Sequence, residues 1–331
     1  MSESADAISA GFVSTGLLPP PGTVASFVEA AHARFRANMD GAVSEIYPSL
    51  ARAPADLFGL CVAGTDGAAY AAGDWDAPFT IMSVSKPFVF ALVCGLLGPE
   101  DVRERIGVNA TGLLFNALAA IERSPDGRTN PMVNPGAIVA TSLVPGTTIE
   151  ERWTFLCDGL SRFAGRALTL DEEVLACALS SNARNRAIAQ LLESLGLIAC
   201  DPAEALDLYT RQCSLTVTAR DLAAMGATLA DGGVNPLTKE RVVDPESGKR
   251  ALAVMATAGL YETSGDWLYD VGLPGKSGIA GGLVAVSPGK GALAAFAPRL
   301  DAAGNSVKGQ LAARFLSREL GLSLFASNAE P

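Results

Sequence analysis

Residues 81–87 of this chain read IMSVSKP, and this short stretch decides how the rest of the sequence is interpreted. Ser83 and Lys86 are three residues apart, so on a helix they lie one turn apart on the same face. A serine hydroxyl is a weak nucleophile and needs a base within hydrogen-bond reach. A lysine can be that base if burial lowers its pKa. The spacing therefore predicts a nucleophile and its base in one helical turn.

Pro87 and the apolar run after it place this pair at the start of a helix. A proline breaks a helix interior, but in the first turn its missing N–H group costs nothing. Residues 88–97 (FVFALVCGLL) then predict a buried helix, whose free N–H groups at its start favour developing negative charge. The alternative is that Ser83 only caps the helix and that Lys86 points to solvent. Because S-x-x-K occurs often by chance, the motif alone favours that alternative.

The chain has one histidine, which nearly excludes an imidazole base for the serine. His32 lies beside Ala31 in the helical pattern of residues 23–38, and we interpret it as a surface or core residue rather than a catalyst. One histidine and six cysteines without a C-x-x-C pair do not predict a zinc site. We expect neither a metal nor a cofactor.

Composition and charge indicate a globular protein with a large core. Of its 331 residues, 49% are hydrophobic and 18% are charged. The net charge of −10 argues against nucleic acid or an anionic membrane as a partner. No signal peptide pattern opens the sequence, and residues 88–97 are too few to span a bilayer, which needs about 20 apolar residues. The unpaired cysteine pattern predicts reduced thiols, so we expect a cytoplasmic protein.

Strand patterns occur near both ends of the chain, and helical patterns lie between them. Residues 57–72 predict two strands joined by a turn, and residues 281–297 predict a hairpin. Helical patterns dominate over residues 95–250, and a last helix is predicted over residues 306–320. This order indicates an α+β fold, with an antiparallel sheet built from both chain ends and an inserted helical lobe.

Six further stretches resemble, in order and spacing, signatures of the serine-dependent glutaminase family. They are residues 111–116 (TGLLFN), 130–138 (NPMVNPGAI), 184–189 (RNRAIA), 259–261 (GLY), 271–282 (VGLPGKSGIAGG) and 304–309 (GNSVKG). The resemblance runs from roughly residue 41 to residue 309, which is most of the chain. It implies the fold of serine β-lactamases and penicillin-binding proteins, in which residues 276–278 (KSG) resemble the K-[ST]-G element beside the site.

The resemblance also implies the reaction and the residues that perform it. L-Glutamine would be hydrolysed to L-glutamate and ammonia, with Ser83 as the nucleophile, Lys86 as its base and Tyr261 assisting proton transfer. The backbone N–H groups of Ser83 and Ile279 would form the oxyanion hole, where removing one donor costs about 10²–10³ in rate. The residues implied to hold the amino-acid end of the substrate are Asn134, Asn185 and Tyr209.

The sequence shows no repeat, low-complexity segment or linker that would divide it, so we expect one glutaminase-like catalytic domain over residues 23–331. Residues 1–22, which end in LPPPG, are expected to form a flexible N-terminal arm. A homo-oligomer is implied by analogy with the family.

Three positions depart from the family pattern, and all three are implied to lie in the substrate pocket. Met82 stands where the family usually has glutamine, and Ala178 stands where it has a glutamate that meets the α-amino group of the substrate. The family's Tyr-Ile-Pro is here Ile46-Tyr47-Pro48, so the tyrosine is displaced by one residue. These changes replace polar partners of a charged amino acid by apolar groups.

Three hypotheses follow from these departures. The first is a working glutaminase in which Glu172 or Glu173 meets the amino group, and the wide match favours it. The second is the same mechanism acting on an ω-amide that lacks the α-amino group. The third is a non-catalytic protein that binds a ligand or partner through the inherited pocket. The retention of Ser83, Lys86 and Tyr261 argues against the third.

Overall fold

The computed structural model describes residues 16–326. The helices are α1 (Pro21–Phe35), α2 (Pro48–Ala51), α3 (Lys86–Leu97), α4 (Pro99–Ile106), α5 (Ala119–Glu122), α6 (Asn134–Ser142), α7 (Ile149–Ala164), α8 (Glu172–Ser180), α9 (Ala183–Ser194), α10 (Pro202–Cys213), α11 (Ala219–Ala230), α12 (Pro245–Ala258), α13 (Ser264–Val271) and α14 (Val307–Glu319). The strands are β1 (Ala42–Val43), β2 (Gly59–Gly64), β3 (Ala69–Gly73), β4 (Phe79–Thr80), β5 (Thr169–Leu170), β6 (Leu215–Val217), β7 (Gly275–Ser277), β8 (Gly282–Ser287), β9 (Gly291–Phe296) and β10 (Arg299–Leu300). Two 3₁₀ turns span Met82–Ser85 and Tyr261–Thr263.

A five-stranded antiparallel sheet in the order β3-β2-β9-β8-β7 forms the centre of the fold. Strands β2 and β3 come from the N-terminal part of the chain, whereas β7, β8 and β9 come from the C-terminal part. The two groups join where β2 pairs with β9. The predicted α+β fold, with a sheet built from both chain ends and helices between them, is confirmed.

Both faces of this sheet are buried, each against different helices. Side chains of a strand point to opposite faces in turn, so in β9 Leu293 and Ala295 pack in the core with α1 and α14, whereas Ala292 packs against α11. Burial on both faces explains why the central strands are continuous apolar runs. Gly226 lets α11 approach closely, because a Cβ there would lie 2.6 Å from the Cβ of Ala292 and 2.8 Å from Val284 Cγ2.

A small three-stranded sheet, in the order β4-β6-β5, lies where the helical region meets the central sheet. Strand β4 leads directly into the 3₁₀ turn Met82–Ser85. The N–H group of Ile81 donates to Leu215 O of β6 at 2.8 Å. The Phe79 ring stacks on the Phe296 ring of β9, with centroids 4.1 Å apart. These contacts fix the 3₁₀ turn at the junction between sheet and helices.

The predicted hairpin is β8 and β9, and the predicted last helix is α14, whose capping residue Ser306 accepts from the N–H group of Gly309. Most of the predicted arm, residues 1–22, lies outside the described residues, and Pro21 and Gly22 belong to α1. The single catalytic domain stays a prediction. Among residues 16–326, no helix combines the length and apolar character needed to cross a membrane.

Candidate active site

Ser83 lies in the 3₁₀ turn immediately before α3, and the backbone that leads into it is strained. Met82 has a φ of 47°, a left-handed conformation that costs a non-glycine residue on the order of 1–3 kcal/mol. A hydrogen bond of 2.8 Å from Ser85 Oγ to Met82 O helps to hold the turn. Helix α3 then begins at Lys86 with Pro87 in its first turn, so Ser83 lies at a helix start.

Lys86 is buried, and its ammonium group is directed to two oxygens of the α6 region. Its Nζ atom donates to Asn134 Oδ1 at 2.7 Å and lies 3.4 Å from Met132 O. Only 1% of the residue is exposed. Because burial disfavours the charged form, the pKa of Lys86 falls from 10.5 to about 7. A large fraction of the amine is therefore neutral, and able to accept a proton, at neutral pH.

Tyr261 and Lys276 lie on the other side of the nucleophile. The Tyr261 hydroxyl donates to Ser277 O at 3.2 Å and contacts the side chain of Ser83. Burial raises the pKa of Tyr261 to about 12, although these hydrogen bonds lower it. Lys276 Nζ lies 4.1 Å from the centroid of the Tyr261 ring and donates to Ser277 O at 2.7 Å. Burial, aided by the charge of Lys86, lowers the pKa of Lys276 well below its usual value.

A cavity of about 120 Å³, here called the site cavity, opens beside Ser83. The sequence-predicted residues that line it are Ser83, Asn134, Asn185, Tyr209 and Ile279. Lys86 and Tyr261 lie behind its wall and connect to it through Asn134 and Ser83 respectively. The structure therefore brings all seven predicted site residues together.

Three amide side chains, here called the asparagine network, form one hydrogen-bonded row that starts at Lys86. Asn134 accepts from Lys86 through Oδ1 and donates from Nδ2 to Asn185 Oδ1 at 2.9 Å. Asn185 Nδ2 donates to Asn182 Oδ1 at 2.8 Å, and Asn182 Nδ2 donates to Thr210 Oγ1 at 3.0 Å. The network holds the cavity wall and the lysine in one fixed arrangement.

The N–H groups of Ser83 and Ile279 are free to bind a ligand oxygen. Within the described part of the chain, neither donates to a backbone oxygen. A Cβ on Gly278 would lie 3.1 Å from Ile81 O, so the backbone after β7 runs directly beside the 3₁₀ turn. Two such N–H groups near a nucleophile are what an oxyanion hole requires.

Sequence reasoning missed several residues of the cavity wall, and Asn182 and Cys213 are two of them. Asn182 completes the asparagine network, and its position three residues before Asn185, one helical turn away, was the available signal. Cys213 also lines the cavity, and burial raises the pKa of its thiol, so it is a neutral group. No motif marks Cys213 in the sequence.

The three departures from the family pattern all line the cavity: Met82, Ala178 and Ile46. Tyr47 lines it beside Ile46, so the displacement by one residue has not removed the tyrosine from the site. Ala178 is 3% exposed and presents only a methyl group to the wall.

The expectation that Glu172 or Glu173 meets a substrate amino group is wrong. Both side chains are exposed in the first turn of α8, and neither lines the cavity. Glu173 instead pairs with Arg52. Carboxylates in a first helical turn are stabilised by the free N–H groups there, which accounts for both residues without a ligand.

Ser83 and Lys86 are buried in one turn, at the junction of an antiparallel sheet with a helical region. The edge strand beside them carries KSG. These features together define the serine β-lactamase-like class. The glutaminase family model matches residues 41–325. Glutaminase 2 of Yersinia pestis is 66% identical over 316 residues, which cover 96% of this chain and 93% of that protein. A glutaminase of Brucella canis is 49% identical over 290 residues, which cover 88% of this chain and 92% of that protein. The solved structure of the probable glutaminase ybaS has a TM-score of 0.92 and 42% identity, covering 93% of this chain and all of that one. This chain belongs to the glutaminase family.

Proposed function

We propose that the protein hydrolyses the side-chain amide of L-glutamine to L-glutamate and ammonia through an acyl-enzyme on Ser83. Family membership supports the reaction. The observation that carries the mechanism is the buried Lys86, which lies in the same turn as Ser83 and has a pKa of about 7. A general base is most effective when its pKa lies near the working pH.

In the first half of the reaction, Ser83 Oγ attacks the amide carbon while its proton passes to Lys86. The negative charge on the former carbonyl oxygen is stabilised by the N–H groups of Ser83 and Ile279. The C–N bond then breaks, and the nitrogen leaves as ammonia after receiving the proton that Lys86 took from Ser83, passed on through the Tyr261 hydroxyl, which contacts Ser83. Water hydrolyses the remaining ester in the second half, and Lys86 again accepts the proton.

Purified protein is therefore expected to release glutamate and ammonia from L-glutamine in equal amounts. Ammonia is measured enzymatically and glutamate by chromatography, with heat-denatured protein as the control. If neither product forms and a serine-directed electrophile fails to label Ser83, the hydrolase proposal falls and a non-catalytic binding role is favoured.

Replacing Tyr261 by phenylalanine should lower kcat for glutamine by about 10²-fold, since proton transfer by a positioned group contributes on this scale. The ring keeps its contact with Lys276, and only the hydroxyl that bonds to Ser277 O is lost. Thermal unfolding should change by a few degrees at most. The matched control is Tyr70→Phe, on β3 and outside the site cavity. A Tyr261→Phe enzyme with more than about half of the normal kcat would show that the hydroxyl takes no part.

We also propose a homo-oligomer in the cytoplasm, on the family resemblance. All six cysteines are free thiols, which supports a reducing compartment. The net charge of −10 supports the expectation that nucleic acid is not a partner.

A further inference from the structure

The direction of the asparagine network is fixed by the lysine at its start. Lys86 Nζ carries N–H groups in both of its protonation states and donates here, as does the Tyr209 hydroxyl. Asn134 Oδ1 receives both, from Lys86 Nζ at 2.7 Å and from Tyr209 OH at 3.0 Å. The amide of Asn134 must therefore direct its oxygen to these donors and its nitrogen to Asn185.

This orientation propagates along the network. Asn185 Oδ1 accepts from Asn134 Nδ2, and Asn185 Nδ2 donates to Asn182 Oδ1. Asn182 donates to Thr210. Each amide nitrogen carries two N–H groups and uses one of them in this row. Asn134 Oδ1 thus accepts two hydrogen bonds, whereas Asn185 Oδ1 and Asn182 Oδ1 accept one each. Each amide nitrogen keeps one N–H group that can donate to a bound molecule.

Among the described residues, the rest of the cavity lining contains one cationic residue and no carboxylate. Arg184 is exposed and lines the cavity, and its Nε donates to Asn116 O at 2.9 Å. Its guanidinium group brings a permanent positive charge to this side of the cavity. The wall also includes the apolar side chains of Met82, Ala178 and Ile46. Donors and a cation complement a carboxylate. The ammonium of an α-amino acid would meet a like charge, carbon and neutral acceptors such as Tyr47, Asn116 and Ser181, because no carboxylate is among the residues that line the cavity in the described part of the chain.

We propose that the site recognises the carboxylate of its substrate and gains nothing from the α-amino group. Its substrate class is then the ω-monoamides of dicarboxylic acids, with glutaramate, which is glutamine without the α-amino group, as a full substrate. This inference rests on the proposed amide hydrolysis. The reaction has the same balance: the Ser83 Oγ–carbon bond forms, the C–N bond breaks with release of ammonia, and water cleaves the ester to give glutarate.

The test compares kcat/KM for glutaramate and L-glutamine by ammonia release on one preparation of the full-length protein. We expect glutaramate to have a kcat/KM equal to or above that of glutamine. Ala178→Glu adds a carboxylate to the wall and should lower the glutaramate-to-glutamine ratio by about tenfold or more, since a hydrogen-bonded charge pair is worth at least that in affinity. Ala178→Gln adds nearly the same volume without charge, and the ratio should stay within about threefold of the wild-type value.

Each outcome decides between the two proposals. A wild-type enzyme that prefers glutamine by more than about tenfold overturns this inference and leaves glutamine hydrolysis standing. Release of ammonia from neither amide by a folded protein overturns the proposed function and this inference with it. If Ala178→Glu does not fold, the wild-type ratio decides. An equal shift of the ratio by Glu and Gln assigns the effect to volume and contradicts the electrostatic account.

Discussion

Replacing Ser83 by alanine is expected to lower kcat for L-glutamine by about 10⁴–10⁶-fold, the range found when the nucleophile of an acyl-transfer enzyme is removed. The change deletes one oxygen from a residue that is 8% exposed and leaves the strained Met82 backbone and the buried Lys86 in place. Glutamine should still bind, because the residues of the cavity wall are unchanged. Ammonia release measures the rate, and calorimetric titration measures the retained binding.

Ser85→Ala is the matched control for this variant. Ser85 lies in the same 3₁₀ turn, and its hydroxyl bonds to Met82 O and accepts from Gln212, but it is not part of the cavity wall. We expect its kcat to stay within about tenfold of normal, since it removes a neutral hydrogen bond worth about 1 kcal/mol. A serine-directed electrophile should modify Ser83 in the wild-type and Ser85→Ala proteins. A Ser83→Ala enzyme with a rate comparable to that of Ser85→Ala would refute Ser83 as the nucleophile.

Local patterns were sufficient to predict most elements of the fold. The hairpin β8–β9 could be predicted because the turn and the apolar runs are adjacent in sequence. The pairing of β2 with β9 could not be located, because it joins residues such as Leu60 and Ala295 that only the packed helices bring together. His32 proved to be structural, as predicted: its ring stacks on Phe58 and its Nε2 lies 3.1 Å from Phe58 O.

The site could be predicted only where its chemistry is local or carried by a motif. Ser83 and Lys86 are neighbours in one turn, so their spacing was informative. The spacing of Asn182 from Asn185 was insufficient by itself, because the place of Asn182 in the wall also depends on a hydrogen bond to Thr210 of α10, which is a tertiary contact. Glu172 and Glu173 failed as candidates because proximity in sequence to Ala178 does not place them on the same helix face.

Backbone strain at the site was also beyond sequence reasoning. Met82 and Tyr261 have φ values of 47° and 58°, yet neither is a glycine or asparagine, the residues that usually adopt this conformation. One precedes Ser83 and the other contacts its side chain. Tertiary packing must hold both, and strain concentrated around one nucleophile is typical of a functional site. Met82 therefore contributes backbone geometry as well as an apolar wall.

Replacing Lys86 by arginine or methionine is expected to lower kcat/KM for glutamine by about 10³-fold or more, because both remove the base. Arginine keeps the positive charge near Asn134 but stays protonated at every accessible pH. Methionine keeps much of the buried volume without any titratable group. Lys249→Arg, on the exposed face of α12, is the control and should leave the rate unchanged.

The pH profile distinguishes loss of a base from loss of packing. In the wild-type enzyme kcat/KM should rise with pH through an apparent pKa of about 7, because the neutral amine is the active form and protonation below that pH removes it. Below the pKa the rate should fall about tenfold per pH unit. Lys276 is buried as well, and burial together with the charge of Lys86 lowers its pKa, so the Lys86 variants decide which lysine produces this limb. Both Lys86 variants should lose this limb, which is the rise of kcat/KM with pH, and keep only a low kcat/KM that does not change with pH. A flat wild-type profile between about pH 6 and 8, or an unchanged limb in Lys86→Arg, would contradict the assignment of Lys86 as the base.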